Sequence, residues 1–209
     1  FIAVWAPFIV GLIVAWAFYP TYWEFEPPQL SSGVATGITE DGHPWIGARD
    51  PQMIIIEYTD YQCFQCKKMH YFLRQLIASH PGKIKLVHRH FPMDDEVNPL
   101  VKKPFHVGSG KLAMLAIYAT GQDRFWQVND ALFQLSKEEE LDLHAFSEWV
   151  DIDASELARA LHDVNILRKL RRDIVSALRQ EITGTPAYVI DGKAYLGQIP
   201  EQLLADVLD

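Results

Sequence analysis

The stretch Met53-Ile54-Ile55-Ile56-Glu57-Tyr58-Thr59-Asp60-Tyr61-Gln62-Cys63-Phe64-Gln65-Cys66 decides the fold. Met53 to Tyr58 is apolar and β-branched without alternation, the pattern of a strand covered on both faces. Thr59-Asp60 then leads into a segment carrying Met69, Phe72, Leu73 and Leu76 at helical spacing, so a strand feeds a helix here. Cys63 and Cys66 are the chain's only cysteines, and they fall at that junction. A disulfide between residues three apart closes too small a loop to constrain the unfolded chain much, so it would stabilise little. Two thiols at i and i+3 on a helix start can instead pass electrons. The free helix NH groups favour a thiolate at Cys63, and Cys66 is placed to resolve a mixed disulfide. Zinc would need two further ligands and there is no second cysteine pair, while covalent haem attachment would need histidine where Lys67 stands.

Outward from this junction, Pro81-Gly82 ends the helix and Lys83 to Phe91 (KIKLVHRHF) alternates as a second strand, completing a βαβ unit. Between about Lys111 and Ile182 the periodicity becomes helical, in segments 112–119, 125–135, 141–150, 154–162 and 166–182. Strands return at 187–190 and 194–196 around the Asp191-Gly192 turn signal, and an amphipathic helix closes the chain over 200–208.

With 209 residues, 49% hydrophobic and 22% charged, the chain can bury one substantial core. A net charge of -8 argues against a general nucleic-acid surface, so no nucleic-acid partner is expected. Phe1 to Trp23 carries no charged residue and is long enough to cross a bilayer, with Tyr19, Tyr22 and Trp23 at its end; residues 1–23 read as a transmembrane helix. Ala15-Trp16-Ala17 leaves a cleaved signal peptide as the alternative. Glu24, Glu26, Glu40 and Asp41 precede the first basic residue, Arg49, so the flank lacks a cytoplasmic Lys/Arg excess and the domain is expected on the extracytoplasmic side. A disulfide centre also persists more readily there. Pro27-Pro28, Ser31-Ser32 and Gly33, Gly37, Gly42 and Gly47 make residues 24–50 a linker with room for one short strand.

Taken together, Glu57, Cys63-Phe64-Gln65-Cys66 and Thr183-Gly184-Thr185-Pro186 resemble a thioredoxin-fold oxidoreductase, and the long helical stretch between Cys66 and Pro186 resembles the layout of DsbA-like thiol oxidoreductases. The resemblance, over roughly residues 43–209, implies an α/β thioredoxin fold whose core (51–93 and 182–209) accepts a helical insertion (94–181). It implies that Cys63 is the solvent-facing nucleophile, Cys66 the buried resolving thiol, and Pro186, after Thr185, the cis-proline beside the disulfide. Glu57 would be the buried acid near the resolving thiol, its pKa raised by burial so that it can relay protons. Phe64, Gln65 and Thr185 are the candidate substrate contacts, and Phe64-Gln65 stands where strongly oxidising members have Pro-His. The redox disulfide itself is the electron carrier, so no dissociable cofactor and no metal are expected.

Plainer readings stand beside these. Glu57 could turn to water at a strand end, and Lys67, Lys68 and His70 read as a solvated helix face. His88, His90 and Met93 beside two thiols invite copper, but a strand alternating His88-Arg89-His90 near a surface needs no metal. Phe105-His106 and Phe125-Trp126 read as packing residues of the insertion. The expected function is a thiol:disulfide oxidoreductase anchored in the inner membrane with its domain on the periplasmic or extracytoplasmic side. Its partners would be cysteine-containing proteins and an integral-membrane redox protein. The rival is a non-catalytic thioredoxin-fold subunit docked in a membrane complex, with a copper chaperone behind it.

Overall fold

The computed structural model describes residues 34–135 and 141–208. The expected transmembrane helix at 1–23 lies outside them, and among the described residues no helix is long and apolar enough to cross a membrane. Strand β3 (Met53–Thr59) forms the centre of a six-stranded sheet. It pairs in parallel with β4 (Ile84–His90), the two being joined through helix α1 (Phe64–Ser79), and antiparallel with β5 (Ala187–Ile190). Strand β6 (Lys193–Leu196) extends the sheet beyond β5. Ile54 is exposed at the start of β3, so the strand is enclosed only towards its C-terminal half, where Glu57, Tyr58 and Thr59 are buried.

Residues 35–47 are not linker. They form β1 (Ala35–Ile38) and β2 (Pro44–Gly47), an antiparallel hairpin that completes the sheet in the order β1-β2-β4-β3-β5-β6. The glycines that suggested a linker have tertiary causes. Gly37 lies against the Trp45 ring, and Gly47 adopts φ +120° with its α-carbon so near the Ile84 carbonyl that a Cβ would sit 2.2 Å from that oxygen.

Among the described residues five helices lie between β4 and β5: α2 (Ser109–Thr120), α3 (Phe125–Gln134), α4 (Leu143–Val150), α5 (Ala154–Ala160) and α6 (Val164–Arg179); α7 (Glu201–Leu208) follows β6. Aspartates set three of their starts. Asp142, Asp153 and Asp163 each accept two backbone NH bonds at the N-termini of α4, α5 and α6. Helix α2 is apolar on almost every side and is buried as the centre of this group. On α6, Ile166, Leu170, Ile174 and Ala177 form the inward stripe. The two faces of β3 meet different helices: Glu57 contacts His70 of α1, whereas the Tyr58 hydroxyl meets Ser176 of α6 at 3.0 Å. Alternation along the strand therefore puts α1 and α6 on opposite faces of the sheet.

Candidate active site

The loop after β3 is fixed before the first cysteine is reached. The buried Asp60 carboxylate accepts from the backbone NH of Gln62 (2.7 Å) and of Met93 (2.6 Å), from Nδ1 of His106 (2.9 Å) and from the Ser109 hydroxyl (3.1 Å). Its own carbonyl accepts the Cys63 NH at 3.1 Å. The Gln62 side-chain amide donates to the Val107 carbonyl at 2.9 Å, tying the loop to the insertion. This loop carries the chain into α1 with Cys63 at the N-cap position, where Sγ accepts the Cys66 NH at 3.3 Å. Across from it, the thiol reaches the Thr185 carbonyl at 3.6 Å, and the Thr185–Pro186 peptide is cis. The structure thus brings Cys63, Cys66, Thr185 and Pro186 together.

Both cysteines are free thiols, and they differ sharply. The Cys63 pKa is lowered to about 6: its hydrogen bond with the Cys66 thiol leads, burial opposes, and the Cys66 NH and Thr185 add to the lowering. The Asp60 charge pulls weakly the other way. Burial pushes the Cys66 thiol up, and the neighbouring Cys63 sulfur pushes it further. Cys66 is 0% exposed and Cys63 9%, so the first thiol is less solvent-facing than the resemblance implied; the exposed neighbour is Phe64, at 50%. Gln65 and Thr185 are half-buried and Pro186 is buried.

Glu57 is buried, but not as a neutral acid. Burial raises its pKa, yet the His70 charge and hydrogen bonds from His70 and His88 outweigh that and hold it at about 2. The expectation that burial leaves this carboxyl raised is therefore corrected: it is an anion paired with imidazoles. His88 Nδ1 lies 2.8 Å and His70 Nδ1 3.3 Å from the same oxygen, Glu57 Oε1. Burial disfavours charge on His70, but Glu57 and Asp130 together raise its pKa, so of the two imidazoles it is the one whose charged form the site favours. His88 moves the other way, mainly through burial, and stays neutral. On its far side His70 Nε2 meets Asp130 Oδ1 at 3.3 Å, and Arg74 Nη1 donates to the same oxygen at 2.7 Å. Across the β3–β5 pairing from Glu57 stands Tyr188, a buried phenol without a hydrogen-bond partner among the described residues, whose pKa is raised by burial and by the charges of Glu57 and both cysteines.

Three other readings of the sequence change here. His70 is enclosed rather than solvated, and His88 and His90 are core residues rather than surface imidazoles. Phe125 and Trp126 do pack in the core, whereas Phe105 is exposed and His106 braces Asp60. Arg74, Asp130 and Tyr188 have no counterpart in the sequence reading, and Asp60 figures there only as the lead into the helix. A signal for part of this existed: Cys66, His70 and Arg74 recur every four residues on the buried face of α1 beside Leu73 and Ile77, where an amphipathic pattern calls for apolar side chains.

Among the described residues, Glu57, His70 and His88 form the one group of donor atoms close enough together to share a metal ion, within 4.8 Å of one another. Two imidazoles and a carboxylate suit zinc or iron. The facing nitrogens are already turned onto the carboxylate, which satisfies the trio without an ion. Neither thiol belongs to this group, so among the described residues His88 and His90 do not gather with Cys63 and Cys66 into one set of donor atoms.

The family described as DSBA-like thioredoxin domain matches residues 54–209. The probable disulfide bond formation protein D of Bacillus anthracis is 26% identical over 158 residues, covering 70% of this chain and 69% of that protein. The Na(+)/H(+) antiporter NhaA 3 of Salinispora tropica is 27% identical over 154 residues, covering 72% of this chain; the aligned part spans only 22% of the antiporter's length. Among solved structures, a thioredoxin-like oxidoreductase from Silicibacter pomeroyi DSS-3 superposes with a TM-score of 0.64 at 20% identity, covering 82% of this chain and 92% of that one, which shows a shared fold.

Proposed function

This chain belongs to the DSBA-like thioredoxin domain family, and we propose that it is a thiol:disulfide oxidoreductase that exchanges disulfides with cysteine-containing proteins through Cys63. The observation that carries the reading is the asymmetry of the pair, an acidified Cys63 at a helix start backed by a shielded Cys66 whose thiol resists ionisation. The name of the Bacillus anthracis relative points the same way.

In the oxidising direction a substrate thiolate attacks Cys63 Sγ of the Cys63–Cys66 disulfide. The S–S bond breaks, a mixed disulfide forms, and Cys66 leaves as a thiolate that takes up a proton. A second substrate thiolate then attacks the substrate sulfur and Cys63 leaves. Two substrate thiols become one disulfide, and the enzyme holds the two electrons as its dithiol. A low pKa at Cys63 makes it a good leaving group and stabilises the reduced protein, which favours this direction even though Phe64-Gln65 puts no cation between the cysteines. The ion-paired Glu57–His70 couple is the buried group from which Cys66 draws or returns its proton, and Phe64, Gln65 and Thr185 line the approach to Cys63. Pro186 has no NH, and its carbonyl accepts the Gly197 NH at 2.8 Å, so the backbone beside Thr185 is the edge on which an extended substrate lies.

The uncharged residues 1–23 hold the domain at the inner membrane on its periplasmic or extracytoplasmic side, near an integral-membrane redox partner. The antiporter relatives favour a second reading, in which the domain is a docking part of a transporter. A Cys66→Ala trap separates the two. The oxidoreductase accumulates mixed disulfides that vanish with Cys63→Ser; a docking part accumulates none and keeps its partners without either thiol.

A further inference from the structure

Helix α6 carries a concentration of positive charge that the thiol site does not use. Arg168, Arg171, Arg172 and Arg179 are all exposed on it, in a chain whose net charge is -8. At 3.6 residues per turn these four positions, with Val175 among them, fall within an arc of about 100°, directly opposite the buried stripe of Ile166, Leu170, Ile174 and Ala177. They border a shallow depression of about 450 Å³. Among the described residues, no carboxylate lies within ion-pair distance of any of the four guanidiniums; Arg168 donates to the Asn165 side chain at 3.0 Å and the others bond to nothing. Asp173, the helix's own acid in this region, is turned inward onto His43 and the His90 NH.

Arg168 stands three and four residues from Arg171 and Arg172, spacings at which like charges repel, whereas Arg179 alone sits in the last turn where a cation suits the helix. Helix stability therefore does not account for the cluster at 168–172. Val175, 45% exposed at its centre, adds an apolar tip ringed by guanidiniums. That combination fits a surface bearing many phosphate groups over an apolar layer better than it fits water.

We propose that the outer face of α6 docks on anionic phospholipid headgroups of the membrane that carries this domain. The inference rests on the reading of residues 1–23 as the membrane anchor. From Glu24 to Val34 there are eleven residues, which even fully extended span no more than about 40 Å, so a bilayer is always within reach of the domain. A tethered surface of opposite charge is the occupant available at high local concentration. Because α6 and α1 cover opposite faces of the sheet, lipid contact through α6 leaves the α1 face turned away from the bilayer.

The test uses the full chain reconstituted into vesicles of phosphatidylcholine alone or of an equimolar mixture with phosphatidylglycerol. Arginine modification by phenylglyoxal is followed by mass spectrometry, with exposed Arg49 as the internal reference. At roughly fivefold in surface affinity per basic residue, four arginines hold the face against the anionic bilayer strongly. Modification of residues 168–179 is expected to slow at least fivefold in the mixed vesicles relative to phosphatidylcholine. It should recover near 1 M salt, where the Debye length is about 3 Å, and Arg49 should be unaffected throughout. Equal rates in both vesicles overturn the proposal. Protection by added polyglutamate but not by phosphatidylglycerol also overturns it and assigns the face to an acidic polypeptide. A chain that floats with neither vesicle refutes the anchor and the docking together. Thiol exchange is assayed in the same samples, so loss of docking with exchange intact leaves the oxidoreductase reading standing, and the converse result refutes that reading alone.

Discussion

Replacing Glu57 by Gln separates the charge of the buried carboxylate from its shape. The amide oxygen can still accept from neutral His88, whose bond is the shorter at 2.8 Å, but it no longer neutralises His70. A fully buried carboxylate held at about 2 against an ordinary 4.5 carries on the order of 3 kcal/mol of folding free energy. Because the folded pKa of Glu57 is depressed, that contribution is complete above the ordinary carboxylate value and is lost as pH falls towards 2. The His70 pKa is raised, so its share is complete below 6.5 and disappears as pH rises through the folded value. The two windows overlap between about 4.5 and 6.5, and there the variant should be destabilised by about 3 kcal/mol in urea unfolding of the reduced protein. Above the raised folded value of His70, where the imidazole is neutral in both proteins, the ion pair is gone and the gap should shrink to about 1 kcal/mol. The same variant should slow protonation of Cys66 as the mixed disulfide forms, measured by stopped flow with a cysteine peptide. A stability gap that stays flat from acid to alkaline pH would refute the ion-pair account, and unchanged kinetics would remove Glu57 from the proton path.

Thiolate absorbance at 240 nm should titrate in the reduced protein with a midpoint near 6, and Cys66→Ala should move that midpoint upward, because the Cys66 thiol is the largest source of the lowering. Asp60→Asn should cost about 3 kcal/mol or more, since an acceptor serving four donors becomes half donor, and it should lower the Cys63 midpoint further by removing a nearby negative charge; thermal melts and the same titration read both effects. Gly47→Ala drives a methyl group into the Ile84 carbonyl at a left-handed φ, so loss of several kcal/mol or failure to fold is expected, with amide exchange speeding first along β2.

Much of the architecture was legible in local pattern. The strand before the cysteines, the helix after them, the return to strands around Asp191-Gly192 and the helical stretch between all follow from periodicity and from Gly and Pro placement. The β1–β2 hairpin was not legible, because Gly37 and Gly47 are required by Trp45 and by the Ile84 carbonyl, neighbours that sequence spacing does not reveal. His70 and His88 were misread for a related reason: thirteen and thirty-one residues separate them from Glu57, and only the packing of α1 and β4 on β3 brings their nitrogens to one oxygen.

The residues alone determined which groups could react, the spacing of Cys63 and Cys66, and the helix start at which the first of them sits. Tertiary structure decided the state in which those groups are held: Cys66 sealed, Glu57 ionised rather than neutral, Asp60 bracing the loop, Thr185 facing the sulfur. The division is physical, since chain pattern is set by neighbours a few residues away, whereas the free energy of a buried charge depends on every group within several ångströms whatever its place in the chain.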